Sequence, residues 1–157
     1  LPQFAAQLAT SPVRRDFDAS VQRVAGGGHP AACSVRGPGV VNSCALAERG
    51  PVVLVFLITG SSRCDDQMTA IDRMRAQFPG VGFAGVAIRG SRAQVRASIA
   101  RNGWHAPIAW DRDGAVANAY AVSVCPTIVL AHRGGRVARS LVGAQPAAAL
   151  RRAIGAL

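Results

Sequence analysis

Four cysteines are the side chains of this sequence best suited to chemistry: Cys33, Cys44, Cys64 and Cys125. Cys33 and Cys44 lie eleven residues apart in a segment rich in glycine and proline, which favours a local structural disulfide. A zinc site with the nearby His29 is the alternative, but the segment lacks the Cys-x2-Cys element typical of such sites. A disulfide here predicts an oxidising, extracytoplasmic location.

The other polar candidates point to ordinary structural roles. His105 and His132 are far apart and neither has a partner at metal-ligand spacing, so we interpret them as surface or turn residues. The segment Asp111–Gly114 is similar to the start of a calcium loop but lacks the distant glutamate, which favours a turn. Glu48 is the only glutamate, and this disfavours paired-carboxylate chemistry. We predict no bound metal and no cofactor.

The charge composition excludes two classes of enzyme. All 18 basic residues are arginine, and with eight acidic residues they give a net charge of +10. Without lysine, neither a Walker-type phosphate loop nor a lysine Schiff base can form. The arginines are scattered and aromatic residues make up only 5% of the chain, so we predict no specific nucleic-acid binding. Diffuse positive charge instead favours peripheral attraction to an anionic membrane surface.

The first fifty residues are predicted to form a helical and extended lead-in. Ser11 and Pro12 are suited to the first positions of a helix, and the glycines at 26–28 would end it. Its apolar face would carry Phe17, Val21 and Val24. Residues 29–50 are predicted to be irregular or extended. Because the chain starts at Leu1 without an apolar leader, we expect any signal segment of a secreted or membrane-anchored protein to have been removed.

From Pro51 onward, strand and helix patterns alternate. The continuous apolar run Val52–Ile58 predicts a strand buried on both faces, and it is too short to span a bilayer. The elements predicted after it are a helix carrying Cys64, Met68 and Ile71, a strand at Val81–Ile88, a helix from Ser91 to Gly103, a strand at Ala106–Trp110, a helix at Ala115–Ala121, hairpin strands at Thr127–Leu130 and Val137–Val142, and a helix from Pro146. This order predicts an α/β three-layer sandwich with a mixed central sheet over 51–157, preceded by the lead-in over 1–50.

The later region resembles a known superfamily. Its first part, Pro51–Phe56 followed by Cys64 and Met68, is similar to thioredoxins. The order Trp104, Pro107, Asp111–Gly114, Tyr120, Val124-Cys125-Pro126-Thr127 and Gly135 is similar to the TlpA-like and AhpC/TSA redoxin branch. The resemblance covers 51–157 and implies a thioredoxin-like fold. It also implies thiol–disulfide exchange, with protein thiols or disulfides and a thiol reductant as partners.

The sequence departs from this family at the active-site motif. The family has Cys-x-x-Cys at the start of the first crossover helix, whereas the matching positions here begin with Ser61 and end with Cys64. A serine hydroxyl without an adjacent base cannot replace a thiolate. The resemblance also implies that Pro126 is cis and that the residue before it, Cys125, faces the same site. Cys64 and Cys125 would then lie close together.

The sequence leaves the state of this pair open. Cys64 and Cys125 could form a permanent disulfide that locks the fold, a reducible pair, or no bond at all if their Cα atoms lie more than about 7 Å apart. The reactivity of Cys64 is also undecided. A helix start and Arg63 favour its thiolate, whereas Asp65, Asp66 and burial oppose it.

The leading functional hypothesis is extracytoplasmic thiol–disulfide exchange through Cys64 and Cys125, at a site that Ser61, Arg63 and Pro126 complete. One alternative is a non-catalytic binding domain with structural disulfides. Another is a one-cysteine peroxidase using Cys64, because Ser61 and Cys64 have the spacing of the peroxiredoxin Thr-x-x-Cys and Arg63 lies between them. The proline that normally precedes that motif is missing.

Overall fold

The computed structural model of the protein describes residues 1–22, 24–26, 28 and 30–157. Within these residues the strands are β1 Ala5–Leu8, β2 Val40–Asn42, β3 Val52–Leu57, β4 Gly82–Ala87, β5 Ile108–Trp110, β6 Thr127–Ala131 and β7 Val137–Val142. The helices are α1 Ser43–Arg49, α2 Ser62–Met74, α3 Arg92–Asn102, α4 Ala115–Ala119 and α5 Ala147–Gly155, with 3-10 turns at Ala32–Ser34 and Arg75–Gln77. The strands form one mixed sheet in the order β2-β1-β5-β4-β3-β6-β7.

The central strand β3 separates two apolar cores. On one face lie Val53, Val55 and Leu57, which share a core with residues of α2, α3 and α5 such as Met68, Val95 and Leu150. On the other face lie Val52, Leu54 and Phe56, which share a core with Leu46 of α1 and Val116 of α4. Because every residue of β3 is buried, the strand has no polar face. The predicted α/β three-layer sandwich with a mixed sheet is confirmed.

Sheet register brings the two ends of the candidate site together. β3, β4 and β5 are parallel, whereas β6 runs antiparallel to β3. In that pairing Phe56, near the end of β3, lies opposite Thr127, the first residue of β6. The turn after β3 and the segment before β6 therefore meet at the same edge of the sheet.

The helix predicted from Ser11 onward is wrong. The described residues 11–22 contain no helix, and Ser20 instead pairs with Ala5 of β1. The buried Gln7 side chain binds this segment twice: its Nε2 donates to the Arg15 carbonyl at 3.1 Å, and its Oε1 accepts from the Phe17 N–H at 3.3 Å. Two of the groups predicted here, Gly27 of the helix end and His29 of the zinc alternative, lie outside the described residues.

A buried arginine explains why this segment is irregular. Arg92, at the start of α3, is 9% exposed, and its guanidinium donates to the carbonyls of Ala9 (3.1 Å), Ser11 and Val13 (2.7 Å). It also forms an ion pair with Asp16 at 3.0 Å. Since these carbonyls are bound by a side chain from another element, tertiary contacts outweigh the local helix signal.

The prediction of an irregular or extended segment over 29–50 is wrong where helix α1 forms. The Asn42 side chain accepts from the Ala45 N–H at 3.0 Å as the N-cap of α1, and Gly50 follows its last turn. A disulfide joins Cys44 of α1 to Cys33 in the preceding 3-10 turn, with their Cα atoms 5.5 Å apart. The preceding strand β2 pairs with β1, which in turn pairs with β5 of the main sheet.

Among the described residues, no helix combines the length and apolar character needed to cross a membrane.

Candidate active site

A disulfide between Cys64 and Cys125 lies at the carboxyl end of β3. The two residues are 61 positions apart in the sequence, and their Cα atoms are 5.9 Å apart. This separation is below the limit of about 7 Å for bridging two cysteines. The geometry therefore excludes the outcome in which distance forbids the bond. It leaves the permanent and the reducible disulfide as alternatives.

Cys64 is the enclosed member of the pair. It is the third residue of α2, its backbone N–H donates to the Ser61 carbonyl at 2.9 Å, and it is only 1% exposed. Its side chain belongs to the same core as Met68 and Ile71, which lie on the buried face of α2. The N-terminus of a helix carries partial positive charge, so this position favours a thiolate, while the burial opposes it.

Cys125 is the accessible member of the pair. It is partly exposed, and the peptide bond to the buried Pro126 is cis. Its Sγ accepts a hydrogen bond from the Ile58 N–H, with 3.1 Å between N and S. The two residues before it are exposed, with Val124 at 46%. The one polar contact of the sulfur therefore comes from backbone, and sequence patterns carry no signal for it.

Ser61 and Arg63 lie beside the disulfide in the first turn of α2. Ser61 occupies the N-cap position, and its carbonyl accepts from the N–H groups of Cys64 and Asp65, each at 2.9 Å. Its hydroxyl makes no capping bond to the described part of the chain. Arg63 and Asp66 are exposed. Of this turn, only Cys64 and Asp65 are buried.

Asp65 has a partner that sequence reasoning missed. The residue is 8% exposed, and its Oδ2 lies 3.4 Å from Nη2 of Arg101 on α3. Its Oδ1 is buried and has no hydrogen-bond partner among the described residues. Arg101 also donates to Ser98 Oγ at 2.9 Å, which orients the guanidinium. The packing of α2 against α3 creates this pair, so spacing along the chain could not reveal it.

Further hydrogen bonds fix the position of α2. The buried Gln67 accepts from the Gln145 N–H at 2.6 Å, which ties the helix to the loop before α5. Trp104 Nε1 donates to Thr69 Oγ1 at 2.9 Å, and this hydroxyl donates to the Asp65 carbonyl at 2.8 Å. The turn that carries Cys64 is therefore held from two sides.

The remaining polar candidates lie in structural contacts. Exposed His105 contacts Asp72 at 3.4 Å, and His132 Nδ1 lies 3.1 Å from the Leu157 carbonyl oxygen. Asp111 accepts from two N–H groups at the start of α4, and burial raises the pKa of its carboxyl. In the part of the chain that the structure describes, no group of three or more His, Cys, Asp or Glu side chains could hold a metal ion.

Solved structures with a similar fold are thiol–disulfide proteins by description. A secreted Mycobacterium tuberculosis disulfide oxidoreductase homologous to Escherichia coli DsbE has a TM-score of 0.69 and 20% identity, covering 76% of this chain and 90% of that one. A protein from Chlorobium tepidum described as thiol:disulfide interchange protein DsbE has a TM-score of 0.69 and 25% identity, covering 75% and 86%. StoA from Bacillus subtilis has a TM-score of 0.63 and 18% identity, covering 72% and 87%.

The sequence comparisons identify the family. No curated protein matches the chain significantly. A family model described as the AhpC/TSA family matches residues 38–140, which include both Cys64 and Cys125 and most of the sheet. With the thioredoxin-like fold predicted from the sequence confirmed as well, this chain belongs to the AhpC/TSA family.

Proposed function

We propose that the protein is an extracytoplasmic thiol–disulfide oxidoreductase that exchanges its Cys64–Cys125 disulfide with protein thiols or disulfides. The observation that carries the proposal is the position of this bond. It lies at the carboxyl end of the central strand, at the first turn of α2 and beside the cis Pro126, with Cys125 accessible. Open α/β sheets bind their ligands at this edge.

Two observations support an extracytoplasmic location. All four cysteines are bonded, and disulfides persist mainly in oxidising compartments. The Mycobacterium tuberculosis neighbour is described as secreted. Outside the cytoplasm a separate thiol partner would have to return the site to its starting state. The net charge of +10 supports peripheral attraction to an anionic membrane surface, independently of the redox site.

The proposed roles differ within the site. Cys64 and Cys125 undergo the exchange. Pro126 is buried next to Cys125 and shapes the surface against which a partner chain would lie. Ser61 holds the helix start through its carbonyl, and exposed Arg63 adds positive charge there. The Cys33–Cys44 bond is proposed as purely structural, because it joins α1 to the preceding turn.

The test is oxidation of a reduced peptide dithiol by the oxidised protein. We expect wild type to oxidise the peptide while its own disulfide becomes two thiols, and the double variant Cys64→Ala/Cys125→Ala to lose this activity. The matched control is Cys33→Ala/Cys44→Ala, which should keep it if the protein folds. Equal peptide oxidation by wild type and Cys64→Ala/Cys125→Ala would overturn the proposal.

A redox titration separates this function from the alternative of a binding domain with structural disulfides. A reduction potential of the Cys64–Cys125 bond above about −300 mV supports exchange, whereas a lower value supports a structural bond. The peroxidase alternative requires a free Cys64 thiol, yet in the structure Cys64 is bonded and 1% exposed. Brief treatment of the reduced protein with peroxide, followed by sulfenic acid trapping, tests it directly.

A further inference from the structure

We propose that Cys125, rather than the helix cysteine Cys64, is the sulfur that bonds covalently to the partner. This inference rests on the proposed function and assigns the two cysteines different roles within it. Cys125 forms the mixed disulfide, and Cys64 is the thiol that resolves it. A Cys-x-x-Cys motif would place the partner-bonded sulfur on the helix start, where this chain has Ser61.

Access to the two sulfurs carries the first step. An incoming thiolate must reach one sulfur of the disulfide from the side opposite to the leaving sulfur. Cys64 is 1% exposed and is packed into the core beneath α2, so its sulfur is closed to a partner. Cys125 is partly exposed, and the segment that leads to it is open, with Ser123 exposed and Val124 46% exposed. A partner thiolate therefore attacks the sulfur of Cys125.

The surroundings of each sulfur suit its role. When Cys125 is attacked, Cys64 leaves as a thiolate in the first turn of α2, where the free N–H groups of the helix start favour negative charge. The buried carboxylate of Asp65 opposes this charge, but Arg101 lies 3.4 Å from it and offsets part of the effect. When Cys125 later leaves the mixed disulfide, its thiolate keeps the hydrogen bond from Ile58 N–H at 3.1 Å.

The reaction balances in both directions. A partner thiolate bonds to Cys125 as the Cys64–Cys125 bond breaks, and Cys64 then takes a proton from solvent. A second partner thiolate attacks the partner sulfur in the mixed disulfide and releases Cys125 as a thiol. The partner dithiol thereby loses two electrons and two protons and becomes a disulfide, while the protein disulfide becomes two thiols. In reverse, reduced Cys125 attacks a partner disulfide and Cys64 resolves the product.

Single-cysteine variants test the assignment with glutathione disulfide as the probe. Both Cys64→Ser and Cys125→Ser keep the Cys33–Cys44 bond, and circular dichroism checks that each is folded. We expect Cys64→Ser to accumulate the glutathione adduct on Cys125, measured by intact mass, at least about tenfold faster than Cys125→Ser accumulates it on Cys64. Equal rates, or a faster reaction of Cys125→Ser, would overturn the assignment.

A second measurement needs no variant and covers the case in which one of them fails to fold. Wild type is reduced at Cys64 and Cys125, treated briefly with limiting iodoacetamide and mapped by mass spectrometry. Alkylation first at Cys125 supports the inference, and alkylation first at Cys64 overturns it. Failure of the proposed function is distinguishable, because it would appear as wild type that does not oxidise a peptide dithiol, whichever cysteine is alkylated first.

Discussion

The guanidinium of Arg92 is predicted to hold the N-terminal segment onto α3, and Arg92→Ala removes it. The side chain donates to the carbonyls of Ala9, Ser11 and Val13. Ala9 and Ser11 are 0% and 1% exposed, so water cannot replace the lost donor without a rearrangement, whereas exposed Val13 can be hydrated. With about 1–3 kcal/mol for each buried carbonyl left unpaired and partial relaxation, we expect the free energy of unfolding to fall by about 2–4 kcal/mol.

Urea unfolding of the oxidised protein measures this loss. The matched control is Arg96→Ala on the same helix, since exposed Arg96 only approaches the Ser11 carbonyl at 3.5 Å. This variant should stay within about 0.5 kcal/mol of wild type. Arg92→Lys should recover part of the loss, because a compact ammonium cannot span all the carbonyls. A change below about 0.5 kcal/mol for Arg92→Ala would refute the reasoning, because it would mean that these buried carbonyls do not need the guanidinium.

Three further changes have defined outcomes. Cys64→Ala/Cys125→Ala removes a cross-link across 61 residues, so non-reducing urea unfolding should show a loss of about 4 kcal/mol. A loss below about 1 kcal/mol would contradict this estimate. The pKa of Asp111 is raised, chiefly by burial, so its contribution to stability is complete below the ordinary value of 3.8 and is lost as pH rises through the raised pKa. Wild type should therefore lose stability relative to Asp111→Asn over that interval in urea unfolding, and parallel pH profiles would contradict this. Ser61→Cys sacrifices no capping bond to the described residues, so the variant should fold. Disulfide mapping should then find the introduced thiol bonded to Cys64 in part of the molecules, and its complete absence from such a bond would contradict this expectation.

Local patterns predicted the elements after residue 51 because each carries its own signal. β3 is a run of apolar, β-branched residues that no helix or loop would need. Ser91 and Gln94 form the capping box that their spacing predicts, and Gly103 ends α3 with a φ of 64°. At these positions the preference of a few neighbouring residues agrees with the tertiary structure, so sequence alone was sufficient.

The first fifty residues behaved differently because long-range contacts outweigh local preference there. Ser11 and Pro12 do suit a helix start, but Gln7 and Arg92 bind the backbone groups that a helix would have used. The error over α1 had another cause. Asn42 and Gly50 are ordinary helix-end signals, and the glycines and prolines before them obscured the short helix.

The sequence by itself determined which groups are available for the chemistry. It contains four cysteines and no lysine, and it has a serine where the family has its first active-site cysteine. Only the tertiary structure decided how those groups combine. The antiparallel register that sets Phe56 opposite Thr127 brings Cys125 to Cys64, and the packing of α2 encloses one sulfur and leaves the other accessible. The physical reason is that pairing between strands and burial between layers join residues far apart in the chain, and local patterns do not record those contacts.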